Sequence, residues 1–288
     1  MKKIAKYIII GLLAIIGIAL LYAYIAYPAE YVNRVLRWGD SDVYDYQKFP
    51  ERALETSDSP FEFSLNLDED HVRTQFELFA GIDDFDSFLA KKRTQAFIVI
   101  QDDAIIYEQY FNGTSRDTIV TSFSTAKSFA STLIGIAISE GYNNSVNDSI
   151  TDYLPELAER DPAFKNITIR DLLMMSSGIK YEEFPFVNGD DAKTYYYPDL
   201  RQLALADAHI AGVPGETFHY NNYHPLLLGM IIERATGTSV THYLQEKNLE
   251  SPGWHEDILN DREAALEYRN LQLEIYVQVL SAQFQEEK

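Results

Sequence analysis

The longest hydrophobic pattern is an uninterrupted apolar run near the start of the chain. Residues 7–27 carry no charged side chain, and tyrosines gather at the far end of the run. A helix of this length spans about 30 Å, the thickness of the hydrocarbon core of a bilayer. Lysines at positions 2, 3 and 6 precede the run. Because cationic flanks stay on the cytoplasmic side, the pattern predicts a transmembrane anchor at 7–27, a cytoplasmic segment at 1–6 and an extracytoplasmic remainder, periplasmic or extracellular.

A cleaved signal peptide is the main alternative for this run. The run is longer than the usual apolar region of a signal peptide, and no clean small-x-small cleavage site precedes Pro28. A buried core helix is a second alternative, but the run is apolar on every face and begins at the chain start. The sequence therefore favours a retained single-pass anchor, with the membrane as a partner.

Beyond the anchor, the hydrophobic pattern separates an acidic stretch from a domain. Residues 28–94 have the composition of an acidic tether with some helix. Residues 96–111 contain two β-rich runs around a polar turn, which predicts an antiparallel hairpin. A helix over 122–141 is apolar or small on nearly every face, which predicts burial, and further helices are predicted over 168–178 and 223–235. This mixture predicts an α/β (α+β) fold.

Composition and charge narrow the classes of function. The 288-residue chain is 46% hydrophobic with 20 Tyr and 16 Phe, which favours a packed globular protein over a disordered one. Its formal net charge of −20 argues against a nucleic-acid partner. The chain has no cysteine, and none of its six histidines forms a ligand pair at short helical spacing. Neither a metal site nor any cofactor is therefore predicted.

Ser124 and Lys127 are the first candidates for chemistry. A serine hydroxyl is a poor nucleophile until a base removes its proton, and a lysine becomes that base only when burial or a helix N-terminus lowers its pKa. Their i, i+3 spacing places both side chains on one face of the predicted helix. Free N–H groups of the first turn also favour a developing oxyanion. The simpler alternative is an N-capping serine beside a surface lysine.

The same Ser-x-x-Lys spacing recurs at Ser177 and Lys180. Ser177 lies at the end of a predicted helix, and Gly178 breaks the turn between the two side chains. The second pair is therefore not expected to share a helical face, and the context favours Ser124 as the nucleophile.

Tyr220 and Asn222 form a second candidate group. A phenol near a lysine can relay protons, and an amide can hold a nucleophile or a substrate carbonyl. Tyr-x-Asn occurs elsewhere in this chain by chance, so the setting of Tyr220, between a Pro-Gly turn and an apolar helix, distinguishes it. Residues 190–198 are expected to form a loop over the site.

Taken in order, these motifs resemble a known family. They are Ser-x-x-Lys at 124–127, Thr-Ile-Arg-Asp-Leu-Leu at 168–173, Ser-Ser-Gly-Ile at 176–179, Pro-Gly-x-x-Phe-x-Tyr-x-Asn at 214–222 and Ile-Glu-Arg-Ala-Thr-Gly at 232–237. The chain from Gln95 to Lys247 resembles the penicillin-recognising serine hydrolases. It is most similar to their class C β-lactamase branch, which includes esterases, D-alanyl-D-alanine peptidases and 6-aminohexanoate-dimer hydrolases.

The resemblance implies roles for the candidate residues. Ser124 would be the acylated nucleophile, Lys127 the base, alone or with Tyr220, and Asn222 would help to position Ser124 and the substrate. It implies a β-lactamase/penicillin-binding-protein transpeptidase-like fold, a sheet packed on a mostly helical lobe. The implied substrate is a small-molecule or peptide amide or ester.

The sequence departs from this family after the hydrolase domain expected at 95–247. The family carries Lys or His, then Thr or Ser, then Gly on a late strand, and no such motif follows Asn222. Residues 248–288 are expected to be a divergent tail that leaves the fold incomplete, and a frameshift or truncation after about Lys247 is one hypothesis for it. Loss of one oxyanion donor costs about 10²–10³ in rate, so weak or no catalysis is expected.

Two rival functions remain open from the sequence. One is a non-catalytic, membrane-anchored remnant of the same fold that binds peptidoglycan-like peptides. The other is a pure anchor or interaction protein without a pocket around Ser124.

Overall fold

The structure is a computed structural model that describes residues 2–55, 62–184 and 188–247. Its contacts divide the described chain into two compact units. Residues 2–41 and 123–247 form the first, called the helical unit, and residues 42–122 form the second unit. The predicted tail, 248–288, lies outside the described residues. The helices are α1 (Lys2–Ala26), α2 (Ala29–Trp38), α3 (Glu69–Ala80), α4 (Phe85–Lys91), α5 (Ala126–Ser139), α6 (Pro155–Arg160), α7 (Ile169–Leu173), α8 (Asp190–Tyr196), α9 (Leu200–Asp207), α10 (Tyr223–Thr236) and α11 (Val240–Lys247). The strands are β1 (Ser64–Leu65), β2 (Ala96–Gln101) and β3 (Ala104–Tyr110).

Helix α1 is the one described helix that is long and apolar enough to cross a membrane. Its 25 residues extend about 37 Å at 1.5 Å per residue, somewhat more than a hydrocarbon core. Signal sequences share this length and composition, so the helix is consistent with an anchor or a signal. Its large apolar side chains are exposed, and only Ala23, near the C-terminal end, is buried among its described side chains.

The core of the helical unit lies where α5, α7, α9 and α10 pack together. Helix α10 begins and ends close to the predicted bounds, because Gly237 takes the left-handed φ of +71° that stops the helix. Fully buried aliphatic side chains line both α10 and α7, and burying each contributes roughly 1.5–3 kcal/mol. These side chains are Leu227, Ile231 and Ile232 of α10 and Ile169 and Leu172 of α7.

Helix α5 is only partly the buried helix that was expected. It begins at Ala126, and residues Phe123–Thr125 form a separate 3₁₀ turn before it. Leu133 and Ile134 in its second half are 1% exposed, whereas Phe129 in its first half is 47% exposed. The expectation of burial is wrong for the first turns, which leaves the start of the helix accessible.

The predicted hairpin is confirmed in the second unit. Strands β2 and β3 pair antiparallel, and Asp102 and Asp103 both adopt positive φ, as a two-residue hairpin turn requires. Strand β1 adds in parallel to β3, so β3 is the central strand of the described sheet. Val72 of α3 and Phe85 and Leu89 of α4 bury against Tyr107 of the sheet.

Two expectations about loops need correction. Much of the described part of residues 28–94, expected to be an acidic tether, is folded, since α2 buries Tyr31, Val32 and Val35 and α3 and α4 pack on the sheet. Most of residues 190–198, expected to be a loop, is helix α8.

Candidate active site

Ser124, Lys127 and Tyr220 meet in one cluster within the helical unit. Lys127 Nζ donates to Ser124 Oγ at 2.8 Å, and Ser124 Oγ lies 2.5 Å from the hydroxyl oxygen of Tyr220. Lys127 Nζ also sits 4.9 Å from the centroid of the Tyr220 ring. The two hydroxyls and the amine are therefore within proton-transfer distance, although 96 residues separate Ser124 from Tyr220.

Local backbone presents Ser124 to solvent. Ser124 is on the 3₁₀ turn that precedes α5, and the residue before it, Phe123, has a φ of +45°. A bulky residue rarely adopts this conformation, which marks a locally strained turn at the serine. Ser124 is exposed and Lys127 is half-buried. The Lys127 amine faces the hydroxyl of Ser124 and the ring of Tyr220.

The Tyr220 segment is held by hydrogen bonds to the loop after α7. His219 N donates to Met175 O at 2.7 Å. Asn221 is fully buried. Its Nδ2 donates to Ile179 O at 3.0 Å, and its side-chain oxygen Oδ1 accepts from Tyr223 N at 2.8 Å. Asn221, which the sequence reasoning did not single out, thus fixes the backbone between Tyr220 and Asn222 at the start of α10.

The loop after α7 is itself fixed by the close approach of the Gly178 backbone to the Gly212 backbone. Gly178 has a φ of +72°, and a Cβ there would lie 2.4 Å from Gly212 O. Gly178 O accepts from Ala211 N at 2.8 Å and from Gly212 N at 2.9 Å. Only glycine fits this conformation and spacing, which accounts for the glycine in the Ser-Ser-Gly-Ile motif.

Asn222 bonds away from Ser124. Its Nδ2 donates to Tyr181 OH at 2.8 Å and to Asp191 Oδ1 at 3.2 Å, and Tyr181 OH donates to Asp191 at 3.1 Å. Burial raises the pKa of Tyr181, so its hydroxyl stays protonated. Among the described residues, the Asn222 amide makes no hydrogen bond to Ser124 and belongs to a neighbouring network with α8.

The second Ser-x-x-Lys does not form a pair. Ser177 is buried, and its Oγ lies 2.6 Å from His224 Nε2 and accepts from Ile179 N at 3.1 Å. Lys180 instead pairs with Glu182 at 2.8 Å. His224, missed by the sequence reasoning, has its pKa lowered to about 3 by burial, followed by the positive charges of His219 and Lys127. The one sequence feature that could have pointed to His224 is its position in the first turn of the apolar helix α10.

The family model described as Beta-lactamase matches residues 84–270. The chain belongs to the beta-lactamase family. The matched range begins before Gln95 and continues past Lys247, so it is wider than the domain expected at 95–247.

The relatives of this beta-lactamase-family chain are longer proteins. Protein flp of Staphylococcus aureus (strain MW2) is 30% identical over 126 residues, which cover 43% of this chain and 24% of flp. The 6-aminohexanoate-dimer hydrolase of Paenarthrobacter ureafaciens is 27% identical over 173 residues, which cover 54% of this chain and 41% of that hydrolase. The chain thus spans about a quarter and about two fifths, respectively, of these relatives.

A solved structure confirms the fold. A Bacillus anthracis protein described as a candidate 6-aminohexanoate-dimer hydrolase matches with a TM-score of 0.60 and 23% identity, over 75% of this chain and 59% of that chain. The expected β-lactamase/transpeptidase-like fold, with mixed helix and sheet, is therefore confirmed. Members of the beta-lactamase family are serine hydrolases. No group of three or more His, Asp or Glu side chains among the described residues could hold a metal ion.

Proposed function

We propose that this chain is a serine hydrolase that acts on an amide or ester through an acyl-enzyme. The observation that carries the proposal is the cluster in which Ser124 Oγ lies 2.8 Å from Lys127 Nζ and 2.5 Å from Tyr220 OH. An accessible serine hydroxyl with an amine and a phenol at hydrogen-bond distance is the arrangement that activates a nucleophile.

In the proposed reaction, Ser124 Oγ attacks the substrate carbonyl carbon and its proton passes to Lys127 Nζ, directly or through Tyr220. The carbonyl oxygen carries negative charge until the C–N or C–O bond breaks. The leaving amine or alcohol takes the proton back, and the acyl group stays on Ser124. Water then attacks the acyl carbon while the same groups remove its proton. The bond between the acyl carbon and Ser124 Oγ breaks, the proton returns to Oγ, and the acid is released.

Asn222 and Asn221 have positioning roles in this proposal. Asn222, bonded to Tyr181 and Asp191, would present its amide beside the substrate, as the resemblance implies. Asn221 would hold Tyr220 at Ser124 through its bond to Ile179.

We also propose that α1 is a retained anchor, with its lysine-rich start in the cytoplasm and the hydrolase unit outside. The support is contact between the end of α1 and the helical unit. Tyr24 OH donates to Asn33 at 2.8 Å and Tyr27 OH donates to Asn188 at 2.9 Å, bonds that signal cleavage would remove.

Covalent labelling tests the proposed hydrolase. A fluorescent fluorophosphonate or penicillin should label the full chain, and Ser124→Ala should abolish labelling. Ser128→Ala, which alters another exposed serine at the start of α5, is the matched control and should label normally. Reversible peptide binding with no covalent adduct would favour the non-catalytic alternative.

A further inference from the structure

The end of α1 is linked to the candidate site by a series of contacts through α2 and α8. Helices α1 and α2 are separated only by Tyr27 and Pro28, so no flexible tether follows the apolar run. A flexible chain as long as residues 28–94 would have a root-mean-square reach of about 45 Å and could turn freely. The observed connection instead fixes how the helical unit sits relative to the end of α1.

Helix α2 joins α1 to the rest of the helical unit. Arg34 donates to the carbonyls of Tyr196 and Tyr197 at 3.2 and 3.4 Å, at the C-terminal end of α8. Tyr31 packs against the ring of Tyr197 at 5.5 Å. The same short helix thus contacts α1 on one side and α8 on another.

Helix α8 continues this framework to the candidate site. Asp191 accepts from the amide of Asn222 at 3.2 Å, and Asp190 accepts from Tyr223 OH at 3.1 Å. Asn188, just before α8, accepts from Tyr27 at the end of α1. Asp191 follows Asn188 by three positions, so Tyr27 OH and the Asn222 amide lie within about 25 Å of each other.

The surface between α1 and α2 is apolar. A groove of about 170 Å³ is lined entirely by apolar side chains from the two helices. It is continuous with the apolar surface of α1, and Leu36 at its edge is 58% exposed. Acyl chains are the occupant that such a groove takes, because the α1 surface beside it is itself of membrane-spanning length and apolarity. The residues that line it include Ile16, Leu20, Ala23, Val32, Val35 and Leu36.

We propose that the helical unit sits on the bilayer through the α1–α2 pair, and that Ser124 acts on amphiphilic esters or amides carried in the membrane. The scissile carbonyl of such a substrate lies at headgroup level, and the contacts through α2 and α8 hold the Asn222 side of the site within about 25 Å of Tyr27 OH. This inference rests on the proposed acyl-transfer function and adds its substrate class. This placement raises the effective concentration of a substrate held in the same membrane, and it does not raise that of a substrate dissolved in bulk water.

Two matched probes test the substrate class on the full chain in phosphatidylcholine vesicles. Both carry the same fluorophosphonate head, and in both the Ser124 Oγ–P bond forms while fluoride leaves and Lys127 takes the serine proton. One probe has a short water-soluble tail, and the other has a diacyl lipid tail in the same vesicles. The lipid-tailed probe should label Ser124 at least tenfold faster at equal total concentration.

An insertion between α1 and α2 tests whether the direct connection of the helical unit to α1 matters, or only its attachment to the membrane. About 30 Gly/Ser residues placed between Tyr27 and Pro28 keep α2 on α8 but release the unit from α1, with a reach of about 30 Å. This variant should lose most of its preference for the lipid-tailed probe and keep its rate with the soluble one. The same insertion after Gly113, an exposed turn, is the control and should keep the preference.

The outcomes are distinguishable. Equal labelling by the two probes, or an unchanged preference after the insertion at Tyr27, would overturn the membrane-substrate inference and leave the hydrolase proposal standing. Failure of both probes to label the unaltered chain would overturn the proposed hydrolase function, and this inference with it.

Discussion

At the scale of single residues, His224 shows how closely the framework behind the site is packed. It is 1% exposed, its Nε2 meets Ser177 Oγ at 2.6 Å, and its Nδ1 lies 3.1 Å from Met175 Sδ. Burial, with His219 and Lys127 nearby, lowers its pKa to about 3 from an ordinary value of 6.5. The folded protein therefore holds this ring neutral, whereas the unfolded chain binds a proton near pH 6.5.

This difference predicts acid sensitivity. Between pH 6.5 and 3 the unfolded state binds the additional proton, so the contribution of His224 is complete above pH 6.5 and falls by up to about 1.4 kcal/mol per pH unit below it. Urea unfolding of the full chain in detergent at pH 7.5, 6 and 5 should show the loss. His224→Gln should flatten that pH dependence, whereas His242→Gln, at an exposed ring, should leave it unchanged.

The helical spacing of Ser124 and Lys127, together with the setting of Tyr220 and the family resemblance, made these three residues candidates, and the structure brings their side chains together. The sequence did not predict the support for that cluster. Asn221, Tyr181 and His224 act through burial and through partners 42, 41 and 47 residues away, respectively. A buried polar residue looks the same in a sequence as an exposed one until its partner is known.

At the scale of elements, α8 shows why a helix can be missed. Its sequence, Asp-Asp-Ala-Lys-Thr-Tyr-Tyr, has little helix propensity, and seven residues form a marginal helix alone. Tertiary bonds hold both ends, from Arg34 at the C-terminal carbonyls and from Tyr223 and Asn222 at the N-terminal aspartates. The hairpin and α10, by contrast, carry local turn and stop signals and were predicted correctly.

Removing the α2 support should therefore weaken the unit. Arg34→Ala should lower the free energy of unfolding by about 1–3 kcal/mol, the usual cost of hydrogen bonds from a charged group. Arg37→Ala is the matched control on the same helix: within the described residues Arg37 has no hydrogen bond or ion pair, and a change below about 0.5 kcal/mol is expected. Equal effects of the two substitutions on urea unfolding would contradict a special role for Arg34.

At the scale of the whole molecule, net charge governs which substrates approach. The formal charge of −20 gives a field that repels anions at low salt. Residues 28–94 contribute many of these acidic side chains, and this acidity is why a tether was expected there. A charge pattern does not reveal a short amphipathic helix such as α2.

The charge predicts a salt effect on acylation. Labelling by an anionic penicillin should accelerate roughly two- to tenfold between 0.01 and 0.15 M NaCl, as the Debye length falls from about 30 to 8 Å. A neutral fluorophosphonate should show little change over the same range. Parallel acceleration of both probes would indicate a salt effect on the protein rather than on the encounter.

The docking of α2 on α8 also determines where this protein can be divided to obtain a water-soluble version. A chain starting at Pro28 would discard the lipid-compatible surface of α1 and two tyrosine bonds, while Arg34 would still cover the end of α8. A chain starting after Trp38 would strip the aromatic faces of Tyr196 and Tyr197 and leave their carbonyls without the guanidinium. The ten residues of α2 therefore belong with the remaining helices in any water-soluble version, even though they adjoin α1.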